Sequence, residues 1–168
     1  MQKPRKGGWK SMGVRVTQTK VEHEGMTFDS KEELGFYLYL KEQNDVSCIH
    51  RQTGFVLVEK QEQYVVKHLK TKDKLVKKLL EFPVIYHADF VYRKGDTIIV
   101  CDVKSKYTHS FREFVIVRKL MVQKIIEHNK RRHGGEPKVV FLEAITRALP
   151  KKQGGGFEFK FICKPIIE

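Results

Sequence analysis

Two aspartates and one lysine hold the chemistry this chain can offer. Asp102-Val103-Lys104 closes the apolar run that starts at Thr97, and Asp89 ends the apolar stretch before it. Strand alternation sets Asp102 and Lys104 on one face, so both address one point in space. A tight turn at Arg93-Lys94-Gly95-Asp96 joins the two segments as a hairpin and brings Asp89 to the same end of a sheet. Two unpaired carboxylates at that separation repel, and a hard divalent cation removes the cost. Mg²⁺ takes oxygen ligands and keeps several waters; Asp89, Asp102 and the backbone carbonyl of Val103 are the candidate donors. Such a site would polarise a phosphodiester and activate a water. Lys104 would orient or deprotonate that water, or stabilise the developing charge. In the plainer alternative, both aspartates simply end strands and Lys104 sits in a surface ion pair.

The elements that must position these residues follow from period and punctuation. Phe28-Asp-Ser-Lys-Glu-Glu33 reads as a helix start, with Asp29 or Ser30 as cap and a glutamate placed for a capping box. Leu34, Tyr37 and Leu38 continue the helical spacing to about Gln43. Glu33 therefore lies in the first turn, as a candidate acid for the site or as a cap alone; Glu32 takes the role if the phase is off by one. Gln52–Lys60 reads as a strand. Residues 61–80 are ambiguous: Tyr64-Val65-Val66 favours strand, while the Leu75/Leu79 spacing favours helix. Phe82–Tyr92 and Thr97–Val103 are the hairpin. Phe111–His128 is a long amphipathic helix stopped by Gly134-Gly135. Lys138–Ile145 and Phe157–Ile167 are further strands. The fold class expected is α/β (α+β), in the order α-β-β-β-α-β, as one domain over residues 25–168 behind a basic arm of residues 1–24.

A length of 168 residues and 40% hydrophobic content suit one domain with a core. No apolar run approaches the roughly 20 residues that span a bilayer, and the basic, Gly-rich N-terminus does not read as a secretory signal. Cys48, Cys101 and Cys163 are scattered, with no CxxC pair, which suits reduced thiols in the cytoplasm rather than a zinc ribbon. The GxxxxGK[ST] phosphate loop and the GxSxG elbow are absent from the sequence. Net charge is +13, with a pI near 9.7, so a phosphate backbone is the leading partner. The charge is clustered in residues 1–20, in a segment from Lys67 through Lys70, Lys72, Lys74, Lys77 and Lys78, and in Lys130-Arg131-Arg132. Arg118 and Lys119 on the long helix are candidate phosphate clamps or solvated side chains. Trp9 either stacks on a base or pins the arm. Gln52 reaches the site or stays an edge glutamine, and His87 shares a strand face with Asp89. Ser110, after His109, is a candidate cap for the long helix.

Asp89, twelve intervening residues, then Asp102-x-Lys104 behind a helix bearing Glu33, resembles the PD-(D/E)XK nuclease superfamily. Phe28-Asp-Ser-Lys-Glu-Glu33, Ala88-Asp-Phe-Val-Tyr92 and Asp102-Val-Lys104 are similar to the small phage and prophage endonuclease-like proteins of that superfamily. The match covers roughly residues 27–125. Two positions depart from the pattern: Ala88 stands where proline is usual, and Asp102 where many members carry glutamate. The resemblance implies a restriction-endonuclease-like core, a mixed central sheet flanked by helices, and cleavage dependent on Mg²⁺ or Mn²⁺. It implies Asp89 and Asp102 as metal ligands, Lys104 as catalytic lysine and Glu33 as the helix acid. DNA is then the expected substrate, ahead of RNA, in the cytoplasm of a bacterial host. A structure-selective enzyme would need two active sites, hence a homodimer; the alternative is a catalytically silent nucleic-acid-binding protein on the same fold.

Overall fold

The computed structural model describes residues 20–105, 112–150 and 157–166. Residues 1–19 of the expected arm, including Trp9, lie outside the described residues, as do His109, Ser110 and Gly154–Gly156. Val21–His23 forms strand β1, paired antiparallel with β2 (Met26–Phe28). Glu24 and Gly25 link them, both at positive φ (49° and 74°), as a two-residue hairpin loop whose twist matches its strands requires.

Helix α1 (Lys31–Lys41) follows, with Ser30 as its cap in extended backbone, its Oγ accepting the Glu33 N–H at 3.1 Å. Phe36 and Leu40 are buried at helical spacing, and Glu33, three residues before Phe36, lies on the same inward face. The Phe36 ring packs on Phe90 and on Phe161, with centroids 5.4 and 5.0 Å away. Burying that one ring contributes about 2–3 kcal/mol, and it anchors the helix start over the sheet.

The central sheet has five strands: β3 (Val46–Val58), β6 (Val84–Lys94), β7 (Thr97–Ser105), β8 (Lys138–Pro150) and β9 (Phe157–Pro165), side by side in that order. All neighbours are antiparallel except β7 and β8, which are parallel and joined through α2 (Arg112–Arg131). The sheet is therefore mixed, and the helices cover opposite faces. Phe28, Phe36, Leu40, Phe90, Cys101 and Val103 form the core under α1; Tyr86, Ala88, Val100, Met121, Ile125 and Phe141 form the core under α2. Asn129 ties the end of α2 to β8: its Nδ2 donates to the Val139 carbonyl at 2.7 Å and its Oδ1 accepts the Val139 N–H at 3.0 Å.

The segment left ambiguous between strand and helix is neither part of the main sheet nor helical. Strands β4 (Gln61–His68) and β5 (Asp73–Glu81) form a two-stranded ribbon of their own. The expected order α-β-β-β-α-β thus omits two hairpins, β1–β2 and β4–β5, and the last strand β9, and the first strand of the main sheet begins at Val46 rather than near Gln52. Among the described residues no helix is long and apolar enough to cross a membrane.

Candidate active site

The hairpin of β6 and β7 turns through Gly95, at φ 56°, where the absence of Cβ makes the left-handed conformation cheap. Arg93 braces the loop, its Nε donating to the Gly95 carbonyl at 2.9 Å. From there the ladder runs only to the pair Phe90 and Cys101. The next two residues, Asp89 and Asp102, stand where the strands part. Asp89 Oδ2 accepts the Val103 N–H at 2.7 Å, so a side chain takes up a donor of β7 just beyond the last ladder pair.

The parting has a counterpart on the other side of β6. Ala88 packs into the α2 core and Phe90 into the α1 core, although residues two apart on a regular strand share a face. The backbone flips at Asp89. Opposite it on β3, between the pairs Arg51/Phe90 and Thr53/Ala88, Gln52 takes a left-handed φ of 48°, which costs a non-glycine residue about 1–2 kcal/mol. Such irregularities re-aim side chains beside active sites.

Lys104 joins the two aspartates. Its Nζ lies 2.8 Å from Asp102 Oδ2 and 3.9 Å from Asp89 Oδ2. Asp102 is 1% exposed, Asp89 12% and Lys104 22%. The Asp102 Oδ2 atom meets the ammonium as an ion pair but makes no well-formed hydrogen bond. Burial, then the Asp89 carboxylate, pushes the Asp102 carboxyl up to about 7. Burial by itself would lower Lys104, but Asp102 and then Asp89 outweigh it and raise its pKa. Glu33 is pushed up to about 7, first by burial and then by the Asp89 charge; its Oε2 accepts the Asp29 N–H at 3.3 Å. The glutamate therefore completes the helix cap and also lies within the field of the site. Glu33 is the buried one of the pair, and Glu32 is only half-buried.

One strand over, Glu143 stands in register with Asp102 on β8 and is 3% exposed. Arg118 of α2 holds it, Nη1 to Oε1 at 2.6 Å. Arg118 is thus committed to a buried carboxylate, which narrows its expected role as a phosphate clamp. Between the two cations lies the Phe114 ring, 4.9 Å from Lys104 Nζ and 5.7 Å from Arg118 Cζ. Sequence reasoning missed Glu143 and Phe114. The available signal was an acid inside the apolar run Val139–Ile145, since such a residue is rarely buried without a partner.

Val103 buries its side chain in the α1 core while its N–H faces Asp89. Lys119 is exposed on α2. Lys67, Lys70, Lys72 and Lys74 are on the β4–β5 ribbon, outside the main sheet that bears the aspartates. Gln52 is exposed beside Asp89, and the His87 ring packs against Gly54, where an added Cβ would stand 3.3 Å from it. The Tyr86 hydroxyl is buried without a hydrogen bond; burial and the Asp102 charge raise its pKa. Among the described residues no three His, Cys, Asp or Glu side chains form a group that could hold a metal. The oxygen donors of the site are the Asp89 and Asp102 pair, with Glu33 behind.

Comparison with curated proteins finds no match, and none of the solved structures matches either. A family model described as a protein of unknown function (DUF1064) matches residues 15–132, well over half of the chain. The span includes Glu33, both aspartates, Lys104 and Arg118, and the chain belongs to the DUF1064 family.

Proposed function

We propose that this protein is a metal-dependent endonuclease that hydrolyses DNA phosphodiester bonds, on a restriction-endonuclease-like core of the PD-(D/E)XK kind. The observation that carries the reading is the Asp89–Lys104–Asp102 cluster at the point where β6 and β7 part. Two carboxylates share one ammonium there, and the more buried one is pushed up to about 7. A buried carboxylate at that pKa has lost its water without full compensation, even with the Lys104 ammonium 2.8 Å from its Oδ2. Hard oxygen donors in that condition fit Mg²⁺ or Mn²⁺. Asp89, Asp102 and the Val103 carbonyl would hold the cation. When bound, it supplies Lewis acidity to the phosphodiester and lowers the pKa of the attacking water.

The chain's own residues do the rest. Lys104, protonated and fixed on the carboxylates, stabilises negative charge that develops on the phosphoryl oxygens. Phe114 lies against the Lys104 ammonium on the α2 side, and the Arg118–Glu143 pair stands on the next strand over. Glu33 supplies a second buried acid from α1. A net charge of +13 brings the phosphate backbone to this edge. A structure-selective role on branched DNA, with two sites in a homodimer, fits an enzyme of this size in a phage or prophage acting in the bacterial cytoplasm.

A second reading is a catalytically silent nucleic-acid-binding protein on the same fold. It is favoured by the way Glu33 Oε2 is taken up by the Asp29 N–H at the helix cap. Linear, nicked and four-way-junction DNA incubated with the protein in Mg²⁺, Mn²⁺ and EDTA, beside Asp102→Ala, separates the two. Metal-dependent cutting lost in the variant supports the nuclease. Salt-sensitive binding without cutting in any metal, unchanged by the substitution, leaves the binder. Competition with RNA of matched length decides the nucleic acid.

A further inference from the structure

The β4–β5 ribbon has two chemically different faces. In an antiparallel pair, registered residues share a face and successive pairs alternate. One face therefore carries the pairs His68/Asp73, Val66/Leu75, Tyr64/Lys77 and Glu62/Leu79. Its charges are internally balanced: Glu62 meets Lys60 at 2.9 Å and Lys77 at 2.7 Å, and His68 meets Asp73 at 2.7 Å. The opposite face carries Lys67/Lys74, Val65/Val76 and Gln63/Lys78 and, across a register shift at its base, Gln61/Glu81. Lys67, Lys74 and Lys78 are exposed, and none of them is ion-paired among the described residues. Lys70 and Lys72 add two exposed charges at the tip, where the Leu69 N–H closes the turn on the Lys72 carbonyl. Among the described residues, ion-paired lysine is thus confined to one side, and five lysines outside any ion pair line the other side and the end, with Glu81 the acid at the base of that face.

A protein that used these lysines for solubility alone would gain nothing by sorting them. Uncompensated cations repel across the ladder at Lys67/Lys74, a direct cross-strand like-charge pair that is destabilising, and an isolated two-stranded ribbon is marginal to begin with. An anionic partner turns that repulsion into attraction. A two-stranded ribbon also has the width that the major groove of duplex DNA admits.

We propose that the ribbon is a DNA-docking arm that lays its Lys67/Lys74/Lys78 face and its Lys70–Lys72 tip along the phosphates of a duplex. This rests on the reading of DNA as the substrate and adds which surface, which face and which form of nucleic acid. Contact is with phosphate and is independent of base sequence.

The test measures binding of the full chain to a labelled duplex in EDTA, so that cutting plays no part, over a series of salt concentrations. Lys67→Gln, Lys74→Gln and Lys78→Gln are combined in one variant, and Val66→Thr with Leu75→Thr in a second that alters the opposite face. All five positions are exposed, and melting curves matching wild type verify that both variants fold. The lysine variant is expected to flatten the dependence of log K on log salt by about 2.7, at about 0.9 per lost phosphate contact. It should weaken binding equally for unrelated sequences, while the threonine variant binds as wild type. An unchanged slope in the lysine variant overturns the proposal, and so does loss of binding in the threonine variant alone. Single-stranded RNA that displaces the duplex at equal concentration through the same lysines overturns the assignment of partner. Metal-dependent cutting, assayed separately, keeps the two readings apart: a flattened slope without cutting in any metal leaves the arm and sinks the nuclease, and cutting with an unchanged slope does the reverse.

Discussion

Replacing Asp102 by asparagine removes the charge and keeps the shape, so its effect on stability reports the electrostatic state of the cluster directly. The carboxyl is pushed from 3.8 to about 7 in the folded chain, chiefly by burial. A folded-state pKa above the unfolded one means that the native state binds more protons between those values, so stability falls as pH rises through that window. The wild-type penalty is absent below about pH 4 and complete above about pH 7. At 1.36 kcal/mol per pKa unit it reaches about 4 kcal/mol, to order of magnitude. Asp102→Asn never ionises and escapes it. The variant also loses the Lys104 ion pair, whose contribution is already contained in the folded-state pKa of Asp102, with Lys104 among its causes. Between pH 4.5 and pH 8, in EDTA, the variant should therefore gain about 3 kcal/mol on wild type. For a chain of this size that is on the order of 6–12 °C in melting temperature. Thermal melts followed by circular dichroism at the two pH values measure it. A gain that is absent or reversed on going to pH 8 would refute the claim that Asp102 is an under-compensated buried carboxylate, and with it the main support for a cation site.

The remaining expectations concern the same cluster. Mn²⁺ or Mg²⁺ at about 100 times its dissociation constant should stabilise wild type by about 2.7 kcal/mol at pH 8 and leave Asp102→Asn unmoved; melts with and without metal check this. Glu143→Gln breaks a buried ion pair and should cost about 3–5 kcal/mol, while Glu143→Gln combined with Arg118→Met costs less than the sum of the single changes, as a double-mutant cycle by urea unfolding reads out. Gln52→Gly should be neutral or stabilising, because it relieves the left-handed φ of 48°, whereas Gln52→Val should destabilise by about 1–2 kcal/mol; if both melt alike, the strain is not there.

Locally encoded features were legible in the chain itself. The Ser30 cap with Glu33 three residues on spans four residues, and the side chain of one meets the backbone of the other. Asp102 and Lys104 share a face by strand alternation alone, and Gly95 marks the turn that only a residue without Cβ makes cheaply. The clustering of lysine between 67 and 78 is plain in the sequence, whatever structure holds it.

Tertiary structure decided the rest, because each remaining feature depends on a distant partner. Leu75 and Leu79 read as helical at a spacing of four, yet four is also an even number of strand steps, and pairing with Val66 and Glu62 settled them as one face of a ribbon. Glu143 finds Arg118 only because α2 carries the chain back to lay β8 parallel to β7. The left-handed Gln52 and the flip at Asp89 belong to the ladder between β3 and β6, and no local pattern announces them. The proton affinities of Glu33 and Asp102 are likewise set first by burial, Glu33 on the inward face of α1 and Asp102 on β7 within the sheet. A carboxylate's type is written in the sequence, but the loss of its water is a property of the whole fold.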